Sequence, residues 1–146
     1  MRGVLTLSKK NDYMLDTCIC SFIMREQPRS VLEKLQAVVM NGHRVVISAI
    51  TYQEMHYGLL GKKASPKHAL LVAEFLKRID EILAWDKQAV DATVLVQKQL
   101  MAESLMIGHN DTAIAGHAIS TGSILFTNNT REFVRLAGLT FEDWVR

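Results

Sequence analysis

Short apolar runs alternate along the chain with longer segments whose apolar positions recur at helical spacing. The apolar and β-branched runs predict strands at residues 13–15, 44–50, 81–85, 123–127 and 139–141. The apolar faces predict helices at residues 29–40, 68–80, 86–105 and 112–120, and from residue 51 onward. Such alternation is typical of a parallel sheet covered on both faces. The predicted fold class is therefore α/β, a three-layer α/β/α domain with a mostly parallel central sheet.

Local signals set the predicted ends of some elements. Pro28 suits the first turn of the helix at residues 29–40, and the pair Asn41-Gly42 ends that helix. Thr51 opens the next helix with Glu54 at its fourth position, which is the Thr-x-x-Glu pattern of a capping box. Residues 1–12 hold no lasting periodicity, so we expect a loose N-terminal extension followed by a single domain at residues 13–146.

Composition narrows the class of protein. The 146 residues suit one domain, and 49% hydrophobic with 22% charged residues is the balance of a chain that buries a core. No apolar run is long enough to span a bilayer, and Cys18 and Cys20 stand too close to bridge each other easily. We therefore expect a soluble, cytoplasmic protein without a membrane partner. A net charge of +2 means that any polyanionic partner has to be held by a local patch or by bound cations.

Acidic and amide side chains follow several predicted strands. Asp16 ends the first strand, Glu54 comes soon after the second, and Asp111 starts the helix that leads to the last long strand. Asn129 and Glu132 follow that last strand. Because ligands of open parallel sheets bind beyond the carboxyl ends of the strands, these side chains can converge. Converging carboxylates repel one another, and Mg²⁺ or Mn²⁺ is the usual solution.

Each of these residues also has a simpler interpretation. Asp16 can cap a helix, Glu54 can belong to the capping box, and Asp111 can mark a helix start. Glu132 can be a solvated loop charge. Spacing alone therefore leaves a metal site and a chance arrangement as open alternatives.

Four motifs, in order, resemble those of PIN-domain ribonucleases, and of VapC-type toxins of bacterial toxin–antitoxin systems in particular. They are Met-Leu-Asp-Thr at residues 14–17, the segment at residues 48–58, Asn-Asp-Thr-Ala-Ile-Ala-Gly-His-Ala at residues 110–118, and the segment at residues 124–133. The closing segment at residues 139–144 is similar to the tail of many such toxins. The resemblance runs from about residue 13 to the end of the chain.

The resemblance implies a Mg²⁺- or Mn²⁺-dependent endoribonuclease toxin. Asp16, Glu54 and Asp111 would bind the metal and act in catalysis. Either Asn129, with a neutral oxygen, or Glu132, a further catalytic residue with a charge, would complete the site, directly or through water. Thr17 and Thr127 have hydroxyls that suit them to orient a ligand or water. The implied substrate is RNA, with transfer RNA cut near the anticodon as the closest match. The implied partners are a VapB-like antitoxin that inhibits the enzyme and a second copy of the chain, with a larger toxin–antitoxin complex as a further option.

One departure from the family pattern supports an alternative function. Cys18 stands where Asn or Ser is usual, and we expect this soft thiol to line the site without binding the metal. Together with the neutral Asn129, it leaves open a PIN-like module that binds RNA or protein without catalysis.

Other side chains carry weaker indications. The five histidines fit no zinc pattern and are expected mostly at the surface, with His109 alone near the site. Basic residues that could face RNA are Lys62, Lys63 and Arg131. A further cluster is expected to serve as core or dimer interface rather than as a base-stacking platform; it consists of Phe22, Met24, Met55 and Tyr57.

Overall fold

The computed structural model describes residues 10–61 and 64–145. Within these residues five strands form one sheet, and every pairing in it is parallel. The strands are β1 (Asp12–Leu15), β2 (Arg44–Ser48), β3 (Glu81–Leu83), β4 (Ile124–Phe126) and β5 (Thr140–Glu142). The helices are α1 (Thr17–Arg25), α2 (Arg29–Met40), α3 (Ala49–Gly58), α4 (Pro66–Arg78), α5 (Lys87–Ala102), α6 (His109–Thr121) and α7 (Thr130–Phe133).

The sheet order is β3-β2-β1-β4-β5, so the chain winds outward from β1 in both directions. Leu15 is in register with Phe126, and the Asp16 N–H donates to the Phe126 carbonyl oxygen over 3.0 Å. The strand order therefore reverses between β1 and β4, and Asp16 lies at that point. A crevice at such a switch point is the usual ligand site of a doubly wound sheet.

Two hydrophobic cores lie on opposite faces of the sheet. Successive strand residues point to opposite faces, so Leu15 packs in one core and Met14 in the other. The first core includes Ile47, Phe75 and Trp144, and the second includes Ile114. The helices that supply these residues cover both faces, which confirms the predicted three-layer α/β/α class with a parallel sheet.

The predicted start of the third helix was wrong. β2 ends at Ser48 rather than at residue 50, because the Ser48 hydroxyl accepts the Ile50 N–H over 3.0 Å and caps α3. Thr51 therefore lies inside α3, where it is fully buried, and forms no capping box with Glu54. The Glu54 carboxylate is left available for other contacts.

The chain joins the sheet slightly earlier than the pattern predicted. β1 begins at Asp12, whose carboxylate binds Arg44 at 2.8 Å, and Arg44 also binds Glu81 at 2.8 Å. The Asn11 N–H donates to Nδ1 of His43, the residue just before β2, over 3.0 Å. Residues 11 and 12 are therefore held against β2 and the residue that precedes it. The rest of the predicted loose extension lies mainly at residues 1–9, outside the described residues, and the domain division stays a prediction.

The ends of other helices differ from the predicted ones by a few residues. The helix at residues 29–40 is confirmed, although Pro28 precedes it as the cap instead of lying in its first turn. α6 begins at His109, three residues before the predicted start, which brings Asp111 into its first turn. No helix in the described part of the chain is long and apolar enough to cross a membrane.

Candidate active site

Asp16 lies at the centre of the site, at the end of β1. It caps α1, with Oδ1 accepting the Ile19 N–H over 2.9 Å. The residue is only 2% exposed, and Oδ2 is buried with no hydrogen-bond partner within the described residues. Burial raises the pKa of Asp16 to about 6, although the nearby Thr127 hydroxyl opposes the rise. A buried carboxylate oxygen without a donor is costly, so this atom needs a proton or a cation.

Glu54 enters the site from α3 and is held by two neutral donors. The Thr17 hydroxyl donates to Oε1 over 2.5 Å, and the Asn110 side-chain amide donates to Oε2 over 2.9 Å. These bonds connect α3 to the starts of α1 and α6. The Thr17 hydroxyl thus holds a carboxylate, and its predicted role in orienting a ligand or water stays a prediction. Sequence reasoning did not single out Asn110, whose only signal was its place beside Asp111 in the third motif.

Asp111 and Glu132 bring two more carboxylates to the same place. The pKa of Asp111 is raised to about 6, first by burial and then by the negative charges of its neighbours. Those neighbours, in order of effect, are Glu132, Asp16 and Glu54, and Glu132 also shares a hydrogen bond with Asp111. The structure therefore brings together all four acids that lie far apart in the sequence.

Cys18 lines this acidic pocket. Its pKa is raised first by burial and then by the charges of the same four acids. The thiol side chain is nevertheless exposed, whereas Cys20 is fully buried in the core. The carboxylates keep the Cys18 thiol protonated, and a protonated thiol is a poor ligand for a hard cation.

The last predicted members of the site lie on the β4–α7 connection. Thr127 is buried, and its hydroxyl accepts the Asn129 N–H over 2.9 Å. Asn129 precedes α7 with a half-buried side chain that makes no capping bond. Arg131 is exposed on α7, and His109 is exposed at the first position of α6. Lys62 and Lys63 lie outside the described residues.

The donor set fits a hard divalent cation held partly through water. The residues that could hold it offer carboxylate and amide oxygens, which Mg²⁺ and Mn²⁺ prefer. Among the described side chains, no three acidic, histidine or cysteine residues are placed tightly enough to ligate one ion directly. Mg²⁺ keeps several of its waters in proteins, so a looser ring of oxygens is suited to it. The buried, unpartnered Asp16 Oδ2 is the atom that most needs such a charge.

His117 is a buried residue that connects α6 to α3, a role that the sequence did not reveal. It is 1% exposed, and its Nδ1 lies 2.7 Å from the Ser48 hydroxyl. Burial lowers the pKa of His117, and the ring also bonds to the Ala84 carbonyl. A neutral ring between these partners ties α6, which carries Asp111, to the cap of α3, which carries Glu54. His117 is therefore an exception to the expectation that most histidines lie at the surface.

The predicted apolar cluster is split by the fold. Met55 is buried, and Phe22 and Met24 are half-buried against the same core. Tyr57 is 70% exposed and lies beside Glu54 at a cleft. Tyr57 is therefore not part of this core, because α3 presents it on the opposite side from Met55, and the interface role predicted as the alternative stays a prediction for it.

A sheet of this order, with carboxylates converging at its switch point, has the architecture of a PIN domain. The family model described as PIN domain matches residues 13–139. The chain is also 38% identical over 132 residues to the "tRNA(fMet)-specific endonuclease VapC" of Shigella flexneri, covering 90% of this chain and 97% of the relative. The protein of the same description from Salmonella typhimurium is 36% identical, with the same coverage.

Solved structures agree with this assignment. The VapBC2 structure from Rickettsia felis, bound to a promoter DNA fragment, matches with a TM-score of 0.84 and 31% identity over 91% of this chain and 98% of its own. The DNA-bound VapBC structure from Salmonella typhimurium matches with a TM-score of 0.81 and 35% identity over 92% and 98%. The chain therefore belongs to the PIN-domain family and, within it, to the VapC ribonucleases. This membership favours an endoribonuclease over a module that only binds RNA or protein.

Proposed function

We propose that this endoribonuclease depends on Mg²⁺ or Mn²⁺, cuts transfer RNA near the anticodon, and is held inactive by a VapB-like antitoxin. The observation that supports the metal dependence is the convergence of four carboxylates, one of which, Asp16, keeps a buried Oδ2 without a partner among the described residues. Such mutual repulsion costs stability unless a positive charge joins the cluster. Clusters of charges that destabilise the ligand-free fold in this way are typical of functional sites.

The residues of the site divide into ligands, supports and a base. Asp16, Glu54 and Asp111 would hold the ion, with Asn129 completing the set. A bound Mg²⁺ or Mn²⁺ supplies the charge that lowers the pKa of water and stabilises a leaving oxygen. Thr17 fixes the Glu54 carboxylate through its hydroxyl, and Thr127 stands beside Asp16. Glu132, next to Asp111, would accept a proton from the attacking water, and the products would carry 5′-phosphate and 3′-hydroxyl ends.

The names of two relatives support the proposed substrate. The Shigella flexneri and Salmonella typhimurium proteins are described as specific for tRNA(fMet), and both align with nearly the whole of this chain. The same initiator tRNA is our first candidate for this chain. Arg131 is exposed next to Glu132 and can contact a phosphate, and we propose the same role for Lys62 and Lys63.

The solved neighbours support the proposed partners. They are complexes of a toxin with its antitoxin, so we propose a VapB-like antitoxin that covers the acidic pocket, with an Arg in place of the metal. An apolar cleft of about 340 Å³ between α2 and α4 offers an additional surface for such a partner. We also propose a homodimer, its assembly into a larger toxin–antitoxin complex, and a cytoplasmic location.

A cleavage assay tests the function. The purified chain is incubated with a tRNA(fMet) transcript in Mg²⁺, in Mn²⁺ or in EDTA, and the cut ends are mapped. We expect cleavage with either metal, none in EDTA, and none by Asp16→Asn or Asp111→Asn. Asp86→Asn is the matched control, because Asp86 also caps a helix but lies outside the site. Equal cleavage by the wild type and both site variants would point to a contaminating nuclease and refute the proposal.

A growth assay tests the biological partner. Expression of the chain in bacteria should arrest growth, co-expression of the adjacent antitoxin gene should restore it, and Asp111→Asn should be harmless alone. Growth arrest by Asp111→Asn equal to that of the wild type would contradict a toxin that acts by cleavage.

A further inference from the structure

The cleft beside Glu54 has the chemistry of a binding site for one nucleobase. It measures about 370 Å³ and is lined by Gln53, Glu54, Tyr57 and Asn110. Glu54 belongs to the acidic pocket, so the cleft opens directly from the place where we propose that the phosphodiester is cut. We propose that it holds a base of the RNA next to the scissile phosphate and contributes to the choice of cleavage site. This inference rests on the proposed ribonuclease function.

Tyr57 offers the cleft an aromatic face. The side chain is 70% exposed, although an exposed tyrosine ring gains nothing for the stability of the core. Gln53 lies one helical turn before Tyr57, so both side chains occupy the same side of α3. Bases of single-stranded RNA are commonly recognised by stacking on tyrosine, because every base has an aromatic face.

Two amide groups on the rim can read the edge of the base. The Asn110 amide donates one hydrogen to Glu54, and its oxygen has no partner among the described residues. Gln53 is exposed, and its side chain makes no hydrogen bond within the described chain. Each amide carries donors and an acceptor, and these are the groups that pair with the Watson–Crick edge of a base.

The charge of the cleft favours a base over a phosphate. Glu54 is its one charged lining residue, and both oxygens of that carboxylate already accept hydrogen bonds, from Thr17 and from Asn110. The lining offers a phosphate no basic side chain, and the Glu54 carboxylate repels it. A neutral base meets only amides, a ring and a carboxylate that is already satisfied. We therefore place the phosphate in the acidic pocket and its neighbouring base in the cleft.

Kinetics on RNA containing single abasic nucleotides test this assignment. The probe is the anticodon stem-loop of tRNA(fMet), or the RNA that the wild type is found to cut, with one base removed at a time around the cleavage site. We expect Tyr57→Ala to lower kcat/KM by about 5- to 150-fold on the intact RNA, the range of one lost stacking contact. At one position, removal of the base should already cause this loss, and Tyr57→Ala should then add little.

Matched variants separate stacking from other effects. Tyr57→Phe keeps the aromatic face and should remain close to the wild type, whereas Gln53→Ala should change the preferred base at the same position. Tyr52→Ala is the control on the same helix, because the Tyr52 ring contacts His56 in a tilted arrangement and does not line the cleft. Thermal unfolding of each variant checks that the fold is intact.

Three results would overturn the inference, and they are distinguishable. If the wild type cuts no RNA, the proposed function fails and the base site fails with it. If the wild type cuts RNA and Tyr57→Ala has wild-type kinetics at every position, only the base site is refuted. If Tyr57→Ala changes only the oligomeric mass or the affinity for an antitoxin peptide, the cleft is a protein interface instead.

Discussion

Replacing the central acid should stabilise the metal-free protein while it abolishes activity. In Asp16→Asn the side-chain oxygen can still accept the Ile19 N–H, so the helix cap survives. The buried negative charge disappears. Because the fold raises the pKa of Asp16 from 3.8 to about 6, ionisation of the carboxyl opposes folding. Each pKa unit corresponds to about 1.4 kcal/mol, so the cost is about 3 kcal/mol when the group is fully ionised.

The sign of the pH dependence follows from linkage. Below pH 3.8 the carboxyl is protonated in both the folded and the unfolded chain, and the full stability is present. As the pH rises towards 6, the unfolded chain loses its proton first, so the free energy of unfolding falls. Above about pH 6 the carboxyl is ionised in both states, and the free energy of unfolding falls no further. The variant lacks this titration, so its advantage over the wild type should grow by about 2–3 kcal/mol between pH 4 and pH 8.

Urea unfolding in EDTA at a series of pH values measures this difference. The comparison between pH 4 and pH 8 cancels any constant cost of burying the new amide. Asp86→Asn is the control, because Asp86 caps α5 in the same way but is exposed, so its replacement does not remove a buried charge. An Asp16→Asn advantage that stays constant with pH would show that burial of the charge does not destabilise the metal-free fold.

Further predictions concern metal binding, activity and packing. Mn²⁺ at about 100 times its dissociation constant should stabilise the wild type by about 2.7 kcal/mol at pH 8, as measured by thermal unfolding, and leave Asp16→Asn nearly unchanged. Thr17→Val removes the hydroxyl that holds Glu54 and should lower Mn²⁺ affinity or kcat by about 10- to 100-fold; wild-type values in titration and cleavage assays would exclude an orienting role. Gly116→Ala should destabilise the chain by about 1–3 kcal/mol in urea unfolding, the usual cost of overpacking a core, because the new Cβ would lie 2.6 Å from the Thr93 Cα where α6 crosses α5. Gly58→Ala has open space around it and should be neutral or slightly stabilising.

The acidic cluster explains why stability and function oppose each other here. Glu54 is satisfied by neutral donors, whereas Asp16 keeps one buried oxygen without a partner. Asp111 shares its surroundings with three other carboxylates. The metal-free fold therefore carries an electrostatic cost at one place, and a cation or an arginine from a partner can remove it.

Local pattern determined the fold class and the order of the site residues. Strands and amphipathic helices are recognised from the spacing of apolar residues over short windows, and this spacing is visible in the sequence itself. The placement of acids just beyond strand ends is also visible in the sequence, and the parallel topology makes such ends adjacent. These features made the three-layer domain and the convergence of Asp16, Glu54 and Asp111 predictable.

Tertiary structure decided what each side chain does. Ser48 caps α3, and its hydroxyl also contacts the ring of His117, which lies 69 residues away in the sequence. With the cap at Ser48, Glu54 belongs to no capping box and enters the site. The exposure of Tyr57 and the burial of Asp16 depend on which elements pack beside them. Burial, charge coupling and hydrogen-bond partners arise between residues that are distant in sequence, so no local window contains them. For that reason the sequence shows which chemical groups are present, whereas their pKa values and contacts depend on the folded structure.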